Sequence, residues 1–380
     1  MKKIWKMCKF VGSLVFLGFP AWVVSWFVKP FHKDLWLVYE CGRYARDNGY
    51  WFFKYVRENH KDQEVVYVID KNSQDFDKVN SLGKTVGFRT FSHWLYYFVC
   101  SKEISSHPHF KPTNYMNKAL WQNKTVFLQH GITRDITGYT ADKMKIKMFV
   151  TGATQEDKFI KENYGHNPDS VKLVGFARHD QLLNFEVIKD QILIMPTWRK
   201  YLTNVDENGF RNSTYFKSWN SLLTNEKLLE YAKKNNLKII FYLHRELQKF
   251  AHCFNSNENI IIAEINNYDV QTLLKTSELL VTDYSSVFFD FAYMNKPVIW
   301  YVFDEEEYRK DHHSKGYFDH NNNILGICSN EEDKTVDLIL HYHKKNYKLS
   351  EEEAKNIDEF FPFRDGKNCE RIYNEIKRLK

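Results

Sequence analysis

Four short segments carry residue types at spacings that suit chemistry on a phosphate. In Leu279-Leu280-Val281-Thr282-Asp283-Tyr284-Ser285-Ser286 an apolar run enters a polar turn, which opens a helical pattern with Val287, Phe288, Phe291 and Met294 on its apolar side. Ser285 and Ser286 then fall in a first helical turn, where unsatisfied N–H groups, two hydroxyls and the positive dipole end attract an anion. Simple capping by Asp283 or Ser285 accounts for the same pattern. His130-Gly131 directly follows the run Thr125–Leu128. A histidine at a strand's C-terminal end, with glycine allowing a sharp turn, points into a cleft and can take a proton near neutrality. A hydrogen-bonded structural histidine is the plainer alternative. Pro196-Thr197-Trp198-Arg199 and His244-Arg245 end the runs Gln191–Met195 and Lys238–Leu243. Each places a cation where phosphates would lie, and Arg199 suits bidentate contact; a surface position beside a loop is the alternative.

Other chemistries find little support. His107-Pro108-His109 and His312-His313 lack a nearby cysteine or carboxylate pattern and read as loop histidines, so no metal site is expected. The chain has no G-x-S-x-G elbow, Walker A loop or G-x-G-x-x-G fingerprint, against a serine hydrolase, a P-loop NTPase and a typical nicotinamide enzyme. Cys8, Cys41, Cys100, Cys253, Cys328 and Cys369 are scattered without a C-x-x-C pair, as expected of reduced thiols in a cytoplasm. A net charge of +6 without a dense basic run gives no case for nucleic acid. Aromatic residues make up 17%, which suits a large core, base stacking or a membrane interface.

These residues need a scaffold that brings strand ends together. From Leu35 onward, short apolar runs alternate with helical patterns. Strands are predicted at Leu35–Tyr39, Val65–Ile69, Thr125–Leu128, Met148–Val150 and Val171–Val174, with helices at Ala45–Glu58, Ser92–Cys100 and Gln155–Tyr164. The pattern restarts with strands at Gln191–Met195, Lys238–Leu243, Ile260–Ala263, Leu279–Thr282 and Pro297–Val302, and helices around Tyr215–Lys234, Val270–Lys275 and Ser285–Asn295. Terminal helices are predicted in Glu351–Lys380. The expected fold is α/β with two Rossmann-like domains, 32–186 and 187–380, and a ligand cleft between them at the strands' C-terminal ends.

Residues 1–31 differ from the rest. Lys2, Lys3, Lys6 and Lys9 precede the uncharged stretch Phe10–Val28, which Lys29 closes. The stretch is close to the length that spans hydrocarbon. A spanning anchor would put the rest of the chain outside. A helix lying in the interface, kinked at Pro20 with Trp5, Trp22 and Trp26 at headgroup depth, keeps it inside and is the expectation here.

Taken in order, His130-Gly131, Gly175-x-x-Arg178-x-Asp180, Pro196-Thr197-x-Arg199, Leu243-His244, Thr282-Asp283-Tyr284-Ser285-Ser286, Asn295-Lys296-Pro297 and Asp365-Gly366 with Arg371 resemble the CDP-glycerol glycerophosphotransferase family, the primases and polymerases of teichoic acid and related capsule synthesis. The likeness runs from about Leu35 to the C-terminus. Ile132-Thr133-Arg134-Asp135, Arg245 and Ala177 depart from the usual pattern. The resemblance implies a glycosyltransferase-B-like arrangement and CDP-glycerol or CDP-ribitol as donor, with CMP leaving. It implies a lipid-linked or polymeric acceptor at the cytoplasmic membrane face. His130 would be the base and His244, Arg199, Ser285 and Ser286 would hold the donor phosphates; Asp283 belongs to the same block, and Asp290 would reach the ribose. The scheme needs no dedicated metal cage, and magnesium bridging the diphosphate is compatible with it. A nucleotide-sugar glycosyltransferase of the same fold is the alternative, and a catalytically idle scaffold in polymer export a further one.

Overall fold

The computed structural model describes residues 10–112, 123–311, 316–322 and 324–379. Lys2, Lys3, Trp5, Lys6, Cys8, Lys9, His312 and His313 lie outside them. The chain divides into two compact units.

The first unit comprises Met1–Ile132, Thr137–Asp180 and Phe363–Lys380. Its strands are β1 (Trp36–Tyr39), β2 (Val65–Val68), β3 (Thr85–Val86), β4 (Lys102–Ser105), β5 (Thr125–Phe127), β6 (Met148–Thr151) and β7 (Val171–Leu173). They form a seven-stranded sheet in the order β3-β2-β1-β4-β5-β6-β7, parallel throughout. Every residue of β1, β2, β4, β5 and β6 is buried, as in a sheet covered on both faces by helices. Strand order reverses between β1 and β4, where open α/β sheets place their ligands.

The second unit comprises Gln181–Pro362 and Thr133–Ile136. It repeats the plan with β8 (Gln191–Ile194), β9 (Lys238–Tyr242), β10 (Ile260–Ala263), β11 (Leu279–Thr282), β12 (Val298–Tyr301) and β13 (Ile327–Ser329). The order is β10-β9-β8-β11-β12-β13, again parallel, with the reversal between β8 and β11. Ile192, Ile194, Phe241 and Val281 meet Tyr215, Trp219 and Leu222 of the helix Thr214–Thr224 in one buried cluster.

The division differs from the expected domains at three places, one of them being Thr133–Ile136, which falls in the second unit. The first unit ends at Asp180 rather than near 186, and Phe363–Lys380 returns to it instead of staying with the second. The return has a clear cause in the helix Asn368–Arg378. Ile372 and Ile376 are fully buried, Tyr373 packs on Trp36 at 5.3 Å, and Asp180 accepts the N–H groups of Asn368 at 2.9 Å and Cys369 at 2.8 Å.

A helix runs over Phe10–Phe31 and is long and apolar enough to cross a membrane. Gly18, Ala21 and Ser25 are its buried positions. A Cβ on Gly18 would meet the Trp94 ring at 3.2 Å, and Trp94 Nε1 donates to Ser13 Oγ at 3.0 Å, so one face packs on the helix Phe91–Val99. Phe16, Phe19, Trp26, Phe27 and Phe31 form an exposed apolar face. A π-helical turn at Leu14–Gly18 stands just before Pro20, where the ring removes a backbone donor.

Candidate active site

In the second unit, the turns after β8 and β11 flank the strand-order reversal. Arg199 and Asp283, both expected on the donor phosphates, are instead committed to the protein. Arg199 is fully buried. Its Nε and Nη2 donate to Asp304 at 2.8 Å each, Nη2 also to Asp283 at 2.9 Å, and Nη1 to the Thr197 carbonyl at 2.8 Å. Tyr215, Tyr284 and Tyr308 surround the guanidinium at 5.0–5.1 Å. The two carboxylates raise the Arg199 pKa against the opposing effect of burial. Asp283, also fully buried, accepts the N–H groups of Thr197 and Tyr284 at 2.7 Å each. The pair thus ties the β8 turn to the β11 turn. Asp304, which completes the arrangement, carries no sequence signal beyond its place after β12.

What this clamp holds in place is the pair of serines. Ser286 is exposed and Ser285 half-buried. The helix that follows, Val287–Tyr293, takes no side-chain cap from Ser286. Asp290 is buried on that helix rather than open to a ribose. His244 follows β9, next to β8. Its Nδ1 accepts the Glu246 N–H at 3.3 Å, so the neutral ring carries its proton on Nε2. Its ring stacks on Trp198 at 5.8 Å, a partner that spacing did not reveal. Burial lowers its pKa below the ordinary value.

In the first unit, His130 lies just past β5 and is exposed. The left-handed residue of its turn is Gln129, with φ 56°, rather than Gly131. Gln129 is held there by its side-chain amide, which donates to the Val150 carbonyl at 2.7 Å and to Glu156 at 3.0 Å. The His130 carbonyl accepts from Arg178 Nη1, whose guanidinium also pairs with Asp47 at 2.9 Å. The His107 ring, just past β4, stacks on the His130 ring at 5.2 Å.

A family profile described as CDP-glycerol:poly(glycerophosphate) glycerophosphotransferase matches residues 23–378. The chain belongs to this family. It is similar to the minor teichoic acid biosynthesis protein GgaB of Bacillus subtilis, 34% identical over 367 residues that cover 91% of this chain and 40% of GgaB. A teichoic acid poly(glycerol phosphate) polymerase of Bacillus spizizenii is 26% identical, with 85% of this chain and 86% of that protein covered. Among solved structures, the wall teichoic acid polymerase TagF (its H548A form) shares the fold, with a TM-score of 0.67 at 16% identity over 99% of this chain and 98% of that one.

Several of the glycerophosphotransferase motifs prove to be joints. Gly175 has φ +82°, and a Cβ there would lie 2.1 Å from Asn368 Oδ1. Asp365 accepts from Lys367 N and from Arg371, and Arg371 also donates to Asn368 at 2.8 Å. Gly175 and Asp180 of the first motif, and Asp365 with Arg371 of the last, therefore fasten the last helix to the first unit, while Arg178 holds the His130 carbonyl. In Asn295-Lys296-Pro297, Asn295 takes the left-handed conformation after Val287–Tyr293, and Lys296 donates to the carbonyls of Leu274, Lys275 and Ser277 at the end of the helix Val270–Thr276. Arg134 and Asp135 are buried in the second unit, where Arg134 Nη1 lies 3.2 Å from His320 Nε2 and Asp135 accepts the Gly316 N–H at 2.9 Å. His109 stacks on Tyr139. Among the described residues, Glu207, His252 and Cys253 are a group that could hold a metal ion, but Glu207 is paired with Arg211 and His252.

Proposed function

We propose that this chain transfers glycerol phosphate or ribitol phosphate from a CDP-polyol to a lipid-linked or polymeric acceptor, releasing CMP. The observation that carries the reading is the family match over residues 23–378, combined with strand ends that present Ser285, Ser286 and His244 in one unit and His130 in the other. The acceptor hydroxyl attacks the phosphorus that bears the polyol. A new P–O bond forms to the acceptor, the P–O bond to CMP breaks, and the hydroxyl proton passes to the His130 ring. Ser285 and Ser286 donate to the diphosphate, and His244 meets it as a neutral Nε2–H donor. The pairing of Asp283 and Asp304 with Arg199 supports a scheme without a protein magnesium cage. Magnesium, where used, would take its ligands from the diphosphate and water.

The helix Phe10–Phe31 supports attachment at the inner membrane face. Its small-residue side is spent on Phe91–Val99, which leaves the aromatic side for the headgroup region and the Lys29 end for anionic lipid.

The test supplies CDP-glycerol, CDP-ribitol and a panel of nucleotide-sugars with a synthetic lipid-linked acceptor, and reads CMP release and product mass. Sugar transfer without polyol phosphate transfer would favour the glycosyltransferase alternative. No turnover of any donor by folded protein would favour the scaffold.

A further inference from the structure

By its sequence context His107 is a loop histidine. Its ring faces the residue that the reaction needs most. His107 follows β4 and His130 follows β5, adjacent strands in register from Glu103–Thr125 to Ser105–Phe127. The two rings lie 5.2 Å apart with an interplanar angle of 28°. We propose that His107 is a positioning residue for His130, holding the base in one ring orientation by stacking. The proposal rests on the reading of His130 as the base.

The backbone of His130 is fixed on one side: Arg178 holds its carbonyl, Asp47 holds Arg178, and Gln129 is anchored in a left-handed conformation. None of these contacts sets the side-chain rotamer. Of the staggered positions of an imidazole, one presents a nitrogen to the acceptor. His107 is well placed to select it because it is itself held. Its N–H donates to Ser105 Oγ at 2.9 Å, its carbonyl accepts from Phe110 N at 3.1 Å, and its ring meets the Phe110 ring at 6.2 Å.

Its charge state fits the task. Burial lowers the His107 pKa to about 4; Asp47 works the other way, while His130, His109 and Arg178 lower it further. The ring is therefore neutral at the pH of the reaction. A neutral ring can lie against the imidazolium that forms when His130 takes a proton, whereas a charged one would oppose that step. His107 Nδ1 is buried without a hydrogen-bond partner among the described residues, which fits a ring retained for its face.

The experiment compares His107→Ala, which removes the ring, with His107→Phe, which keeps a ring and removes both nitrogens. His107→Ala should lower kcat about 10-fold, the order expected when a reacting group loses its fixed orientation. The donor KM and the unfolding temperature should stay near wild type. His107→Phe should recover most of the loss. The imidazole proton signals of His130, followed by NMR, should move in the Ala variant more than in the Phe variant. Wild-type kcat in His107→Ala, or equal impairment of Ala and Phe, would overturn the proposal. His130→Ala, assayed in parallel, separates the two readings. If it retains turnover, the base assignment falls. If it abolishes turnover while His107→Ala is unaffected, the positioning role alone falls.

Discussion

Replacing Arg199 by methionine separates a donor ligand from a structural clamp. The substitution removes the cation and leaves a side chain of similar length in the box formed by Tyr215, Tyr284 and Tyr308. Two buried carboxylates then lose their counter-charge. Asp283 retains the N–H groups of Thr197 and Tyr284, whereas Asp304 retains the Tyr284 hydroxyl at 3.3 Å among the described residues. Breaking a buried pair from one side costs about 3–5 kcal/mol, because a charge is left uncompensated. Domains are stable by about 5–15 kcal/mol, so the second unit should lose a large fraction of its stability. Urea denaturation followed by tryptophan fluorescence measures this, since Trp219 and Trp300 are buried in that unit. Converting Asp304 to leucine in the same chain should recover part of the loss by removing one orphaned carboxylate. A wild-type urea midpoint in Arg199→Met, with donor affinity reduced, would refute the clamp and return Arg199 to the phosphates.

Three further outcomes are expected. Ser285→Ala combined with Ser286→Ala should weaken CDP-polyol binding by about 1–3 kcal/mol in calorimetry, the range for hydrogen bonds to charged groups, and unchanged affinity in folded protein would count against their role. His93 is fully buried, and its pKa falls from 6.5 to about 3 through burial, with Arg89 adding to the shift. The unfolded chain therefore binds the extra proton across this window, and His93 lowers stability by up to about 1.4 kcal/mol per pH unit as pH falls below 6.5. Urea midpoints between pH 7 and 4 should drop less steeply in His93→Phe. Gly175→Ala combines a left-handed φ with a contact 2.1 Å from Asn368, so it should cost about 2–4 kcal/mol and expose Cys369 of the last helix to a thiol reagent.

The fold was legible where strands are apolar and hidden where they are polar. The runs at Val65 and Leu279 mark strands because both faces are buried, and the half-buried edge strand at Ile260 is marked by three consecutive isoleucines. β4 escaped because its sequence is Lys102-Glu103-Ile104-Ser105. Glu103 is buried there, and the Tyr39 hydroxyl from β1 and Thr125 Oγ1 from β5 both donate to it. A strand whose polar groups are satisfied by its neighbours has no hydropathy signature of its own. β3 spans two residues, too short to register, and β13 (Ile327–Ser329) has a single aliphatic residue. The fastening of Phe363–Lys380 to the first unit depends on contacts about 190 positions apart, such as Asn368 with Asp180, which no local pattern reports.

The site was legible as a set of positions but not as a set of roles. Strand ends followed by His, Arg, Asp or Ser say where a side chain leaves the sheet. Whether it then turns outward to a ligand or inward to a partner depends on residues elsewhere in the chain. Arg199 and Ser285 illustrate the difference. Both end strands beside the same reversal, yet Asp304, more than a hundred positions away, draws Arg199 inward, and that inward triad sets the turn on which the serines stand. The same division separates Arg178, which holds a carbonyl, from His130, whose ring is exposed. A motif in this fold therefore mixes two kinds of residue under one spacing. Those with buried partners should fail chiefly in stability when replaced, and those on exposed turns chiefly in binding or turnover. Arg199→Met against the double serine variant, measured for both properties, tests that separation within a single pair of turns.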